Sequence, residues 1–198
     1  MKKVLLLWIT AGLLLSSFGI DTSENYTALT EESTITWAAA RPGKTHDGTL
    51  SLRSGTLVFD GDNLVSGDFK IDMNSITVSD IKPGKMNDRL VGHLKSADFF
   101  DVENHQEARY EITGSETKGD QLMIKGNLTL KGITKEVNFM AKVSIENDQV
   151  LLEANTFQID RTEWDIKYRS GKFFDNLKNK LIDDAIDITV KVSAKKSA

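Results

Sequence analysis

The sequence predicts an all-β fold, an eight-stranded antiparallel β-barrel with one or two short helices covering an end. Three observations lead there. Apolar residues recur at every second position in short runs from Ile35 to the C-terminus, the period of a strand with one dry and one wet face. The runs are separated by clusters of Gly, Asp, Asn and Lys, which tolerate the backbone of tight turns and make successive strands antiparallel neighbours. There is no cysteine, so no disulfide can staple the chain and the dry faces must be buried against one another. Such a sheet buries them as a sandwich or by closing on itself. Closure also removes exposed edges, and no Cys…Trp…Cys spacing points to an immunoglobulin-type sandwich.

The elements follow in chain order. Lys2 and Lys3 precede an apolar run from Val4 to Leu15, then Ser16, Ser17, Phe18 and Gly19, which reads as a cleaved signal peptide over residues 1–19. The run is short of the ~20 residues that span a bilayer, so stable membrane insertion after its removal is not expected. Residues 20–32 form a lead-in, and 33–196 the barrel. Strands are predicted over Thr34–Ala39, Thr49–Leu52 and Gly55–Phe59 (the last two merging), Leu64–Met73, Glu107–Gly114, Gln121–Leu130, Lys135–Ile145, Gln149–Ile159 and Ala185–Ala194. Val65, Gly67, Phe69, Ile71 and Met73 alternate with polar residues, as do Leu122, Ile124, Gly126, Leu128 and Leu130 against a mostly polar set. Val137, Phe139, Ala141, Val143 and Ile145 repeat the pattern. In Val150–Ile159 the apolar parity switches, as one extra residue in a β-bulge would make it. Two segments leave the rhythm: Met86, Leu90 and Leu94 at i, i+4, i+8 behind Pro83 predict a helix over Lys85–Ser96, and Phe173, Leu177 and Leu181 repeat that spacing.

Motifs for chemistry are sparse. A net charge of −4 argues against a protein built for phosphate backbones, so no nucleic-acid partner is expected. His46, His93 and His105 are far apart without metal-ligand spacing, and Asp60-Gly61-Asp62-Asn63 is a turn lacking the glycine and glutamate of a calcium loop; no metal is expected. No nucleophile elbow, Walker or dinucleotide fingerprint is present, and no catalytic residue is assigned. For an enzyme acting on an apolar substrate, His46, His93, Asp98 and Asp160 with Arg161 are the candidates. A filled barrel serving as an interaction module is another reading. Asn25-Tyr26-Thr27 and Asn127-Leu128-Thr129 match a glycan acceptor pattern, which matters only in a eukaryotic secretory route. The richer signal is aromatic: Phe99, Phe100, Trp164, Tyr168, Phe173 and Phe174 cluster beside the two non-strand segments, either plugging the barrel ends or lining an apolar mouth. Gly67, Gly126 and Ala141 on dry faces favour a tunnel.

Four runs carry a family resemblance: Gly67–Ile76 (GDFKIDMNSI), Leu90–Val102 (LVGHLKSADFFDV), Gly126–Lys135 (GNLTLKGITK) and Phe157–Trp164 (FQIDRTEW). In order and content they resemble the YceI family. The resemblance implies a lipocalin-like barrel, exported to the bacterial periplasm or secreted, that holds a long-chain apolar lipid, a polyisoprenoid or isoprenoid quinone, for transport, storage or sequestration, with no cofactor beyond it. The expected lining is Phe69, Ile71, Leu90, Leu94, Phe99, Phe100, Tyr110, Phe139, Ala141, Trp164, Phe173 and Phe174. The expected mouth or head-group residues are His46, His93, Asp160 and Arg161, and a homodimer is entertained. One departure stands out: Asp165–Asp175, with Lys167, Arg169 and Lys172, is more basic than expected around the family's glycine-rich turn.

Overall fold

The structure, a computed structural model, describes residues 23–197; the expected signal peptide, residues 1–19, lies outside the described residues. Eleven strands build eight staves, because three staves are each made of two strands end to end. The first stave is β1 (Ser23–Ala28) followed by β2 (Thr34–Arg41). Both lie between β3 (Lys44–Asp60) and the last strand, β11 (Ala185–Lys196). Next come β4 (Asn63–Asp72), β5 (Glu107–Lys118) and β6 (Gln121–Leu130). β7 (Ile133–Glu136) and β8 (Phe139–Glu146) share β6, and β9 (Gln149–Ala154) and β10 (Phe157–Asp160) share β11. The pairing of β9 with β11 closes the ring, entirely antiparallel.

The lead-in expected over 20–32 therefore contributes a strand. Ser23–Ala28 has too few apolar alternates to announce itself, yet it finds unpaired edges on β3 and β11 and saturates both. The parity switch expected as a bulge is one: against β11 the register gains one residue between Glu153, opposite Lys191, and Phe157, opposite Ile188, while the Asn155 N–H still donates to Met140 O on β8 at 2.9 Å. The strand expected over Lys135–Ile145 is split at Val137–Asn138 into β7 and β8, with no change of register on β6. In β4 the bulge opposite Val58/Phe59 turns Leu64 inward and leaves Val65 exposed, reversing the expected start of that face.

The two ends of the barrel differ. At one end the hairpins at 60–63, 118–121 and 146–149 close over side chains with no room left between them. Tyr26, Leu57, Phe59, Leu64, Ile124, Ala141 and Val150 are each 0–1% exposed. The other end carries two long connections, residues 73–106 and 161–184. The first holds α1 (Lys85–Lys95), entered from Gly84 at φ 138°. Asn87 anchors it by donating to the carbonyls of Val78 and Ile81, both at 2.8 Å, and Lys95 by donating to Asn74 O at 2.7 Å. Residues 77–79 strap onto the free edge of β3 through Thr77 N–H to Thr49 O and Ser79 N–H to Asp47 O. That strap lies so close that a Cβ on Gly48 would sit 1.9 Å from the Thr77 carbonyl oxygen. The second connection forms two 3₁₀ turns, Arg161–Trp164 and Lys178–Lys180, and not the helix that Phe173, Leu177 and Leu181 suggest, since Asn176 and Lys178 adopt positive φ.

Candidate functional site

Between the packed end and α1 lies a cavity of about 150 Å³, inside an envelope of about 1300 Å³ that includes its opening to solvent. Every stave contributes inward side chains to its wall. β2 gives Ile35, Trp37 and Ala39; β4 gives Phe69 and Ile71; β11 gives Ile186, Ile188, Val190 and Val192. Tyr110, Phe139 and Phe157 form an aromatic ladder along one wall. Tyr110 and Phe139 are tilted at 5.5 Å, and Phe139 stacks on Phe157 at 4.5 Å and 8°. Leu94, Phe99 and Phe100 from the first long connection, and Ile166 and Ile182 from the second, line the α1 end.

Of the expected lining, Phe69, Ile71, Leu94, Phe99, Phe100, Tyr110 and Phe139 border the cavity, and five residues do not. Ala141 is wholly buried in the packed half. Trp164 is wedged behind the wall, its indole N–H donating to Leu128 O at 3.2 Å. Leu90 packs half-buried against the core without reaching the cavity, and Phe173 and Phe174 are 48% and 50% exposed. The inward glycines open no tunnel either. A Cβ on Gly126 would lie 2.6 Å from the Tyr110 ring, and one on Gly67 3.0 Å from Ile112, so neighbouring side chains already fill those slots. Sequence reasoning missed Trp37, Met73, Phe157, Ile166 and Ile182. The alternation Ile35, Trp37, Ala39 was signal enough for Trp37; Ile166 and Ile182 carry no periodic signal at all.

Each of the expected head-group residues is already occupied by a partner within the protein. His46 Nδ1 lies 2.9 Å from Asp80, off the cavity. His93 Nε2 lies 2.9 Å from Asp98, with its ring held edge-on between Phe99 at 4.9 Å and Tyr168 at 4.8 Å, which ties α1 to the second connection. Asp160 and Arg161 do not pair with each other. Burial alone would raise the Asp160 carboxyl, but hydrogen bonds from Lys172 and from Thr162 N–H and Oγ1 outweigh it and hold it below its ordinary value. Arg161, 1% exposed, spends its fork on the second connection: Nε donates to Asp183 O at 3.0 Å, Nη1 to Ile166 O at 2.7 Å, and Nη2 to Ile182 O at 3.0 Å and Asp184 Oδ1 at 3.1 Å. A guanidinium has five N–H donors, so at most one remains for a ligand. Burial lowers the Arg161 pKa, partly offset by Asp184, Asp160 and Asp183. The Tyr110 hydroxyl donates to Val137 O at 2.8 Å, and burial, with Glu136 nearby, pushes its pKa far up. The wall thus presents apolar atoms to the cavity, and its two chemistry-bearing side chains are tied to backbone. Trp37 Nε1 is the one buried side-chain polar atom without a partner among the described residues.

A model of the YceI-like domain matches residues 26–194, nearly the whole barrel. The chain belongs to the YceI-like family. It is 34% identical over 103 residues to Protein YceI of Salmonella arizonae, an alignment spanning 51% of this chain and about half the length of that relative. Among solved structures, BcnA of Burkholderia cenocepacia aligns with TM-score 0.66 at 16% identity, over 85% of this chain and 99% of that one. A polyisoprenoid-binding domain from Saccharophagus degradans aligns with TM-score 0.66 at 11% identity, over 87% and 98%. At those identities the likeness is one of fold. It establishes for this YceI-like chain the antiparallel barrel with a single α-helix among the described residues.

Proposed function

We propose that this protein binds a long apolar chain of the isoprenoid kind, a polyisoprenoid or the tail of an isoprenoid quinone, as a carrier or store in the periplasm or outside the cell. The observation that carries the reading is the cavity, walled on all sides by apolar side chains and lying inside a closed barrel. Family membership and the polyisoprenoid-binding domain among its structural neighbours support the ligand class. The apolar N-terminal run followed by small residues supports the location.

Size sets how such a chain fits. A cavity of ~150 Å³ takes a benzene-sized group, so it houses only the first units of the tail as it stands. The full envelope, at roughly 30 Å³ per water-sized group, takes no more than about 40 heavy atoms. A chain of that length must part Leu94, Phe99 and Phe100 and run out at the α1 end. At ~−0.3 kcal/mol per atom such a tail binds with roughly −12 kcal/mol, nanomolar affinity without a head-group contact.

Organic extraction of the purified protein followed by mass spectrometry tests this directly, together with titration of the delipidated protein with polyprenols of increasing length. Isoprenoid in the extract, and affinity that climbs with chain length, are expected. A clean extract combined with no binding of any polyprenol would overturn the reading.

A further inference from the structure

The second long connection presents a feature that ligand binding inside the barrel does not use. Between Ile166 and Ile182, which line the cavity, the chain turns outward and exposes Phe173 and Phe174 side by side. With Met86 of α1, these are the three most exposed large apolar residues described, and all three sit on the connections at the cavity's end of the barrel. Basic residues surround the pair. Residues 167–180 hold Lys167, Arg169, Lys172, Lys178 and Lys180 against Asp175 alone, a local +4 in a chain of net −4, leaving −8 for the rest. Lys167 sits over the Phe173 ring, 5.1 Å from its centroid. Lys167 and Lys172 are paired with Asp165 and Asp160, but Arg169, Lys178 and Lys180 have no ion pair among the described residues. The base of the loop is fixed, since the buried Arg161 fork grips the carbonyls of Ile166, Ile182 and Asp183 at once.

We infer that this loop is a docking surface for an anionic phospholipid membrane, with Phe173 and Phe174 entering the interface and the basic residues meeting the lipid head groups. The charge distribution selects both partner and orientation. The attraction is local to residues 167–180, since Glu163, Asp165, Asp183 and Asp184 at the loop's base bring the whole connection 161–184 to +1. An anionic surface repels the acidic remainder of the barrel and attracts the loop's tip, which brings this end of the barrel against the membrane. Apolar side chains flanked by cations are the composition that interfacial binding requires. The inference goes beyond the ligand proposed above, though docking at the cavity's mouth gains its purpose from it.

The test is sedimentation of purified protein, every variant carrying the same N-terminus, with vesicles of pure phosphatidylcholine or of phosphatidylcholine with phosphatidylglycerol. Wild type is expected to bind the anionic vesicles selectively, and more weakly at high salt. Each basic residue near an anionic surface is worth roughly a fivefold change, so Lys178→Gln with Lys180→Gln should weaken that binding roughly 25-fold. Lys142→Gln with Lys191→Gln, on the barrel wall, should leave it unchanged. Phe173→Ser with Phe174→Ser, at exposed positions, should abolish sedimentation with the melting temperature preserved. Wild-type binding without selectivity for phosphatidylglycerol, or equal losses in the loop and wall variants, would overturn the inference. So would a Phe-dependent dimer in sedimentation velocity without vesicle binding, which would make a second copy the occupant. Vesicle binding by protein whose extract is free of isoprenoid would sustain the docking surface while refuting the proposed ligand.

Discussion

Adding the same aromatic ring at two buried alanines separates the hollow half of the barrel from the filled half. Ala108 lines the cavity opposite Ile71 on β4, and Ala141 sits wholly buried between Leu122 on β6 and Ala154 on β9. In Ala141→Phe the ring has nowhere to go, and overpacking a dense interior costs ~1–3 kcal/mol. For a domain of this size each kcal/mol shifts the melting temperature by ~2–4 °C, so a fall of ~2–12 °C is expected. In Ala108→Phe the ring enters a space of about 150 Å³, which takes a benzene-sized group, and the lipid-free melting temperature should hold or rise. The ring then stands in the tail's path. Saturating wild type with a polyprenol at a hundred times its dissociation constant should stabilise it by ~2.7 kcal/mol, a rise of roughly 5–11 °C. Ala108→Phe should lose that rise and Ala141→Phe should keep it. Differential scanning fluorimetry with and without ligand measures both quantities, and Trp37 in the cavity wall supplies an independent fluorescence signal. An Ala108→Phe protein that is destabilised as much as Ala141→Phe yet still gains the full ligand stabilisation would refute the placement of the cavity.

Four further variants have expected outcomes. Gly48→Ala places its Cβ 1.9 Å from the Thr77 carbonyl oxygen, on a strap bonded to β3, and should cost ~3 kcal/mol or more by urea unfolding. Gly92→Ala on α1 meets nothing within 4 Å and should stabilise by ~0.5–1 kcal/mol; the reverse order would show the strap misplaced. Arg161→Met strips three carbonyls and Asp184 of their partner, should cost ~3–5 kcal/mol, and should expose residues 165–181 to limited proteolysis; a loop still resistant would mean Arg161 does not hold its base. The Asp160 carboxyl is held below its ordinary value of 3.8, so its contribution is complete above that pH and is lost as pH falls through the depressed folded value. Asp160→Asn should therefore be less stable at neutrality and show a flatter acid limb in a pH series of melting temperatures, and an unchanged limb would contradict the Lys172 and Thr162 pairing.

What the sequence discloses follows from how much each feature depends on neighbours. The staves from β3 to β11 read clearly because period-2 alternation is a local consequence of burying one face. β1 was hidden because Ser23–Ala28 owes its strand conformation to edges offered by β3 and β11 rather than to its own pattern. The inward glycines misled for a related reason. A missing side chain marks either empty space or a slot into which a neighbour swings, and only three dimensions show Tyr110 lying across Gly126 and Ile112 across Gly67. Arg161 belongs to the same class. A cation beside an apolar cavity invites a head group until its acceptors are known, and they come from residues 5 to 23 positions away along an aperiodic loop.

The position of the cavity, by contrast, follows from connection lengths that are legible in the chain. Where three two-residue turns close one end, the staves are drawn together and inward side chains from opposite walls meet, giving the wholly buried set around Phe59, Ile124 and Ala141. At the other end two connections, residues 73–106 and 161–184, are too long to act as hairpins, so the staves they join cannot be pinched shut by turns. That end must be covered by loose-fitting side chains from α1 and from the segments around it. Side-chain covers are easier to displace than backbone ladders, because opening them breaks apolar contacts without orphaning N–H and C=O groups. The asymmetry places the space, its side-chain cover and the basic aromatic loop at one end of one barrel. A chain held as proposed and leaving through Leu94, Phe99 and Phe100 would emerge at the end of the barrel that bears Phe173 and Phe174.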